Sequence, residues 1–479
     1  MADYELVVLG AGATGLSAAR AARRAGRRVA LVEAERPGGD CTHYGCVPSK
    51  ALLETARRVQ AARSGAAYGF SALVAVDFPA VMARVRAVVA EVEQDESPEV
   101  LRAEGIDLLR GWGVVTGPTS LTVDDREVSV ERLVVATGSR ASVPPIEGLA
   151  DVTTLDNRTV FDLDVLPDHL GVLGGGPIGV ELAQAFRRLG ARVTLLEAAP
   201  ALLGREEPEA QEVVRTVLER EGVTVRTGVS VTRVEHGPVV HLSDGSRLDC
   251  SHLLVAVGRT PATDGLGLET AGVVLDRGRV VTDDHLQAVE TVWAAGDCTS
   301  RLQLTHVGDE QGRLAARNAF AGAPWKRGGG RWDDSGIPWV TFTEPEVGRV
   351  GLTEAEAVRE HGSGVMVSTY WDRHGDRART AGQTDGFVKL IAVPGKVGGI
   401  TLGKLVGMTA VGPMAGELIA EGALSLRAGT LVGRLAQTVH AYPTWSLTTR
   451  LAAAQFFGQG REAARPGSAE PEQREVGQP

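Results

Sequence analysis

Two thiols and an ammonium group close together carry the chemistry of this sequence. In Gly38-Gly39-Asp40-Cys41-Thr-His-Tyr-Gly-Cys46-Val-Pro-Ser-Lys50 the cysteines are five positions apart and run into a helical stretch from Ala51 to Ala62. A disulfide needs its Cα atoms within about 7 Å, and that spacing along a regular helix exceeds the limit, so Cys41 must sit at a distorted or non-helical start of the helix. Gly45 makes such a bend cheap. A helix start favours thiolate over thiol, and the Lys50 ammonium pushes the same way. The pair reads as redox-active rather than as two inert cysteines. Further ligands at metal spacing are absent nearby, which disfavours a zinc site.

The elements around this segment read as a nucleotide-binding repeat. Leu6 to Leu9 forms a strand that runs into Gly10-Ala-Gly12-Ala-Thr-Gly15, followed by an Ala/Arg helix to Ala25 and a second strand, Val29 to Val32, that ends at Glu33. A glycine fingerprint alone is weak. Here it has a strand before it, a helix after it and an acid at the end of the next strand, the full set that holds a dinucleotide. The first glycine permits the turn, the second lets backbone approach a pyrophosphate, and the third lets helix and strand pack closely. Amides at the helix start then face the phosphates.

The same text returns at Gly174-Gly-Gly176-Pro-Ile-Gly179, with a helix to Leu189 and a strand Val193 to Leu196 ending at Glu197. The register matches glycine for glycine and acid for acid, and it extends to Arg23/Arg187, Arg24/Arg188 and Arg28/Arg192. This is an internal duplication, so two dinucleotides must be held. The acid ending each second strand suits a ribose diol and repels a 2′-phosphate, and Glu197 is followed by Ala198, Ala199 and Pro200. The reading is NAD(H) over NADP(H).

Composition removes several other classes. A chain of 479 residues makes three or four compact units rather than one small module, and its 43% apolar content supports sizeable cores. The net charge of −10, with basic residues scattered among acids, argues against a nucleic-acid partner. No long uncharged apolar run or secretory leader is visible, so the expectation is a soluble, cytoplasmic chain without a membrane. Four cysteines in a chain this long are no secretory disulfide framework. Cys250 and Cys298 read as small core residues.

With these motifs in hand the sequence resembles the flavin-dependent pyridine nucleotide–disulfide oxidoreductases, in the branch of dihydrolipoamide dehydrogenase and mercuric reductase. The resemblance covers nearly the whole chain. It includes Ala136-Thr137-Gly138, Ala256-Val257-Gly258-Arg259-Thr-Pro, Ala295-Gly296-Asp297-Cys298-Thr, Pro338 to Gly348 and Val411 to Glu417. It implies an α/β fold with two Rossmann-like dinucleotide-binding domains, of the glutathione reductase kind, and a C-terminal α+β dimerisation domain. The implied divisions are an FAD domain over 1–148, an NAD(P)H domain over 149–275, a return to the FAD domain over 276–332 and an interface domain over 333–458. The tail 459–479, rich in Pro, Glu, Gln and Arg, reads as disordered.

By the same resemblance the first site holds FAD and the second NAD(H), with Gly10, Gly12, Gly15, Glu33, Gly39, Thr137, Gly138 and Asp297 serving the flavin. Glu33 would take the adenosine ribose and Asp297 the ribitol. Gly174, Gly176, Gly179, Glu197 and Gly258 would serve the nicotinamide dinucleotide. Glu181 stands where the first repeat has Ser17, and the resemblance pairs it with Lys50 beside the flavin. Electrons would pass from NADH through FAD to the Cys41–Cys46 disulfide and on to a small acceptor such as a disulfide, a metal ion or a quinone. Cys46 would face the flavin and Cys41 would meet the acceptor, in a homodimer.

The sequence also departs from that pattern. Disulfide reductases carry His-Pro-Thr with a Glu five residues after the His, and here Tyr442 and Leu447 hold those places in His440-Ala-Tyr442-Pro-Thr-Trp-Ser-Leu447. A phenol with an ordinary pKa of about 10 is a poor base at neutral pH. His440, two residues earlier, is the candidate to substitute for that His, against a reading of it as a structural histidine. Mercuric reductases lack that dyad but end in a vicinal cysteine pair, which this tail does not have. A redox sensor or slow diaphorase that keeps FAD is therefore the competing function, and the intact cysteine pair weakens a transhydrogenase reading. Asp40 stands where many relatives have Thr and needs a donor partner or must point away. His43 reads as a solvent-facing loop residue rather than one that tunes the thiolate.

Overall fold

The strand Tyr4–Leu9 sends its side chains alternately into two cores. Leu6 and Val8 pack with Leu31, Val134, Ala18 and Ala315 under the helices Ala13–Arg24 and Thr305–Phe320. Val7 and Leu9 pack with Val32, Val135 and with Val115, Leu121 and Val128 of an antiparallel ribbon on the other face. A strand covered on both faces must be a near-continuous apolar run, as this one is. Each fully buried aliphatic side chain contributes roughly 1.5–3 kcal/mol.

The computed structural model describes residues 2–299, 302–321, 330–397 and 400–458, so the tail expected over 459–479 lies outside the described residues. They fall into two units, residues up to 202 with 218–333, and 203–217 with 334–458. The first unit holds both nucleotide repeats. In the first repeat the parallel strands lie in the order Ile106–Arg110, Val29–Glu33, Tyr4–Leu9, Arg126–Val135. In the second they lie in the order Thr224–Thr227, Arg192–Glu197, His169–Leu173, His252–Val255. The two orders are the same, so the duplication in the text is a duplication of topology.

The chain leaves the first repeat through Ser139–Ala141 and comes back through Arg259–Pro261, and these two crossings pair as an antiparallel ribbon, Ala141 opposite Arg259 and Ser139 opposite Pro261. The second unit is a five-stranded antiparallel sheet whose apolar face, with Val350, Val388, Leu390, Met408 and Ala410, is covered by the helices Ala415–Arg427 and Leu447–Gly458. Its other face carries the register row Arg349, Thr409, Lys389. Lys389 is 2% exposed and bonded to Glu207, Glu209 and Glu354.

Candidate active site

The two glycine turns are built alike, atom for atom. At the first glycine of each, φ is +95° and +111°, and a Cβ would meet the carbonyl of Ala136 at 2.5 Å or of Ala256 at 2.4 Å. At the third, Gly15 and Gly179, a Cβ would fall 1.8 and 1.9 Å from the carbonyl of Gly10 or Gly174, so only glycine lets helix and strand meet there. The middle glycines differ. A Cβ on Gly12 would meet only the Cα of Gly39 at 3.8 Å, and one on Gly176 would meet nothing within 4 Å. Neither position is crowded by the described residues, and the open space fits a pyrophosphate laid against each helix start.

The acids close each turn in the same way. Glu33 accepts from the Ala11 amide at 2.8 Å and the Glu35 amide at 2.8 Å, and Glu197 accepts from Gly175 at 2.6 Å and Ala199 at 2.7 Å. Each carboxylate is thereby fixed at the end of its second strand. Gly39, at φ +61°, packs its Cα side against Gly12 so closely that a Cβ would fall 2.7 Å from the Gly12 Cα. Gly138 and Gly258 hold φ of +71° and +131° at the ends of equivalent strands, and the hydroxyl of Thr137 is buried with no partner among the described residues. That orphan hydroxyl fits a polar ligand at the first repeat.

Between the acid and the flanking helices lie the cysteines. Cys41 sits in a short helix, Gly39–Tyr44, which breaks at Gly45 before the long helix Cys46–Arg63 begins. A Cβ at Gly45 would meet the Asp40 carbonyl at 2.9 Å, so the break that brings the thiols together needs a glycine. The Cys46 sulfur lies 3.2 Å from the hydroxyl of Thr305. Thr305 opens the helix Thr305–Phe320, whose start favours negative charge.

These contacts separate the two thiols. The hydrogen bond from Cys41, then the Thr305 hydroxyl and the Lys50 charge, hold the Cys46 thiol down at about 6 against the opposing effects of burial and Glu181. Cys41 is pushed well above the ordinary range because its proton is held in that bond, and burial adds to the effect. Cys46 is exposed and Cys41 half-buried. Lys50 Nζ bonds Glu181 Oε2 at 2.8 Å, joining the redox helix to the helix Pro177–Leu189 of the second repeat. Cys250 and Cys298 are buried, and burial raises their thiols to about 11 and about 12.

Asp40 has the donors that its position demands. Asn157 Nδ2 bonds its Oδ1 at 3.0 Å, and Arg259 Nη2 pairs with its Oδ2 at 2.9 Å. Arg259 also donates to Ser139, whose hydroxyl passes on to Asp297 Oδ2 at 2.6 Å. Burial holds the Asp297 carboxyl above the usual carboxylate range, against the Ser139 bond and the Arg259 charge. His43 corrects the expectation of a solvent-facing residue. It is 6% exposed because its Nε2 lies 2.7 Å from the Pro37 carbonyl, a bond that turns the ring inward. Thr305 and Asn157 were not singled out from the sequence, and no local spacing signals either of them.

The two proton-handling candidates lie in the second unit and are distinct. The His440 side chain is 7% exposed, with Nε2 at 3.2 Å from Glu421 Oε1 and Nδ1 at 3.1 Å from the Thr438 carbonyl. Tyr442 is 71% exposed, and its hydroxyl donates to Asp376 Oδ2 at 3.0 Å. That bond raises the phenol above its ordinary value.

Twin nucleotide turns, a redox helix between them and a separate antiparallel domain define a two-nucleotide oxidoreductase. The chain belongs to the pyridine nucleotide-disulphide oxidoreductase family, whose model matches residues 4–312, and the model of that family's dimerisation domain matches residues 337–453. Members use FAD and NAD(P)H. The chain is similar to the mercuric reductase of Streptomyces lividans, 37% identical over 95% of this chain and 96% of the relative. It is also similar to the dihydrolipoyl dehydrogenase of Thermus scotoductus, 35% identical over 93% and 96%. Among solved structures it resembles the HOCl-induced flavoprotein disulfide reductase RclA from Escherichia coli, with a TM-score of 0.82, 30% identity and coverage of 94% of this chain and 99% of that one. No helix among the described residues is long and apolar enough to cross a membrane.

Proposed function

We propose that this protein is a cytoplasmic, homodimeric, NADH-dependent flavoenzyme that reduces a small acceptor through a Cys41–Cys46 disulfide. FAD, when bound, supplies hydride acceptance from a reduced nicotinamide and two-electron transfer to the disulfide. The first repeat would hold it through Gly10, Gly12, Gly15, Glu33, Gly39, Thr137, Gly138 and Asp297. The second would hold NADH through Gly174, Gly176, Gly179, Glu197 and Gly258.

The observation that carries this reading is the environment of Cys46. The Thr305 hydroxyl at 3.2 Å, the start of the helix Thr305–Phe320 and the Lys50 charge all favour the thiolate form of Cys46 over its ordinary state. Cys41 keeps its proton in the bond to that thiolate. We therefore assign Cys46 as the sulfur of the internal couple and Cys41 as the thiol that exchanges with the acceptor. Lys50 stabilises the thiolate, and Glu181 fixes the ammonium.

Proton transfer to and from the acceptor is the weak part of the site. His440 has both ring nitrogens engaged within its own chain, which supports a structural role, and Tyr442 is the accessible group. A phenol raised by Asp376 stays protonated at neutral pH and takes no proton from a dithiol. The site thus favours acceptors that a thiolate attacks directly over those that need a base. The same observation favours the second reading, a redox sensor or slow diaphorase.

Steady-state NADH oxidation with lipoamide, glutathione disulfide, Hg(II), Cu(II) and a quinone separates the two. Appreciable turnover with any acceptor that is abolished by Cys41→Ser supports the enzyme. Equal residual rates in wild type and Cys41→Ser across the whole panel support the sensor.

A further inference from the structure

We infer that Arg259 is a positioning residue of the redox centre: it neutralises Asp40, the residue beside Cys41, and ties the redox helix to the ribbon that joins the two nucleotide repeats. The inference rests on the reading of Cys41 and Cys46 as the redox pair.

Asp40 lies in the first turn of the short helix and its side chain is 37% exposed, so its charge is partly solvated and its partners serve to hold it in place. Asp40 is paired twice, by Asn157 and by Arg259, and the Arg259 side chain is only 15% exposed. The guanidinium works through its Nε and Nη2. Its Nη2 serves Asp40 and the Ser139 carbonyl, its Nε donates to the Ser139 hydroxyl at 2.7 Å, and Nε lies 3.9 Å from Asp297 Oδ2. A planar fork held on three sides fixes its partners in a way that a lysine does not.

Arg259 and Ser139 belong to the paired crossings between repeats, and Asp40 belongs to the first turn of the helix that carries Cys41. One half-buried cation therefore fixes the short helix Gly39–Tyr44 against the ribbon through which the chain passes between the nucleotide repeats. It also faces two carboxylates, Asp40 and Asp297, so its loss leaves both uncompensated. None of these atoms is in hydrogen-bonding contact with a sulfur, so the effect on the cysteines is through charge and placement.

The direction follows from electrostatics. The groups that face Cys46 are Cys41 from the short helix, Lys50 from its own helix, Glu181 from the second repeat and Thr305 from the helix it opens. An uncompensated Asp40 adds negative charge next to this set and disfavours the thiolate. A unit charge on the residue next to the pair, in a partly solvated site, moves a midpoint by roughly half to one pH unit.

The test is a pH titration of the long-wavelength thiolate-to-flavin absorbance in the FAD-loaded, NADH-reduced full chain. Arg259→Gln is expected to raise the midpoint by roughly half to one pH unit, Asp40→Asn to lower it by a similar amount, and the double variant to return it close to wild type. Arg259→Lys keeps the charge and is expected to restore most of the midpoint. Shifts of the same sign in both single variants, or no shift in either, overturn the inference. If Arg259→Gln does not fold, Asp40→Asn alone decides, because an unmoved midpoint there contradicts the charge effect. A wild-type protein without any such absorbance overturns the redox reading itself, and this outcome is distinct from the others.

Discussion

Replacing Thr305 with Val removes the hydroxyl 3.2 Å from the Cys46 sulfur and keeps a β-branched side chain of similar volume at the start of its helix. The Cys46 thiol stands at about 6, whereas a free cysteine titrates at about 8.5. The bond from Cys41 is the largest cause, and the Thr305 bond is the next that favours the thiolate. A hydrogen bond to a charged group contributes about 1.5–3 kcal/mol, and sulfur as acceptor in an exposed site brings this to roughly 1 kcal/mol, or about 0.7 pH unit.

The sign is fixed by the direction of the perturbation. The thiolate is present above the midpoint and lost as pH falls through it, so a weaker hold moves the loss to higher pH. Thr305→Val is expected to move the midpoint from near 6 to between roughly 6.5 and 7. Well above both midpoints the two proteins should show the same absorbance, and between them the variant should show less. The assay is the thiolate-to-flavin absorbance of reduced, FAD-loaded enzyme against pH, with Cys46→Ser as the control that abolishes it. An unmoved or lowered midpoint would refute the role of Thr305, and a band that survives in Cys46→Ser would refute the assignment of the sulfur.

Further outcomes follow from the geometry. Gly12→Ala and Gly176→Ala add a methyl group where the chain leaves open space, so each should fold with little change in thermal midpoint. The first should purify with less FAD and the second should show a raised KM for the nicotinamide; normal retention and KM would remove the pyrophosphate reading. Gly15→Ala forces a Cβ to 1.8 Å from a carbonyl and should not fold to a stable protein, which circular dichroism would show. NADH should be preferred over NADPH by roughly 10- to 100-fold in kcat/KM if Glu197, at the end of the second strand of its repeat, takes the ribose of the nicotinamide dinucleotide; a preference for NADPH would contradict this. Lys389→Met leaves three glutamates without their shared buried cation and should cost about 3–5 kcal/mol in urea unfolding, against less than about 1 kcal/mol if the cluster is unimportant.

The residues legible in the sequence were those whose roles are local. Gly10, Gly12 and Gly15 must follow a strand and open a helix at fixed spacing, and Glu33 must end the next strand, so the turn is written within one short stretch and then written again. The break at Gly45 was readable for the same reason, because two thiols five apart cannot meet along an unbroken helix. What the sequence hid were pairings across long separations. Thr305 reaches Cys46 over 259 positions and Asn157 reaches Asp40 over 117, and no period or motif reports such contacts. Asp40 signalled only that it needed a donor. His43 was misread because a polar residue between two cysteines in a glycine-rich stretch looks solvated, whereas the Pro37 carbonyl turned toward it makes burial cheap.

Electrons from a reduced nicotinamide are expected to come to rest on the Cys41–Cys46 pair. Anaerobic titration of the FAD-loaded protein with NADH, with thiols counted after denaturation, tests it most directly. Two additional thiols per chain are expected, both missing in a Cys41→Ser/Cys46→Ser variant. Flavin that is reduced while the thiol count stays constant would contradict it.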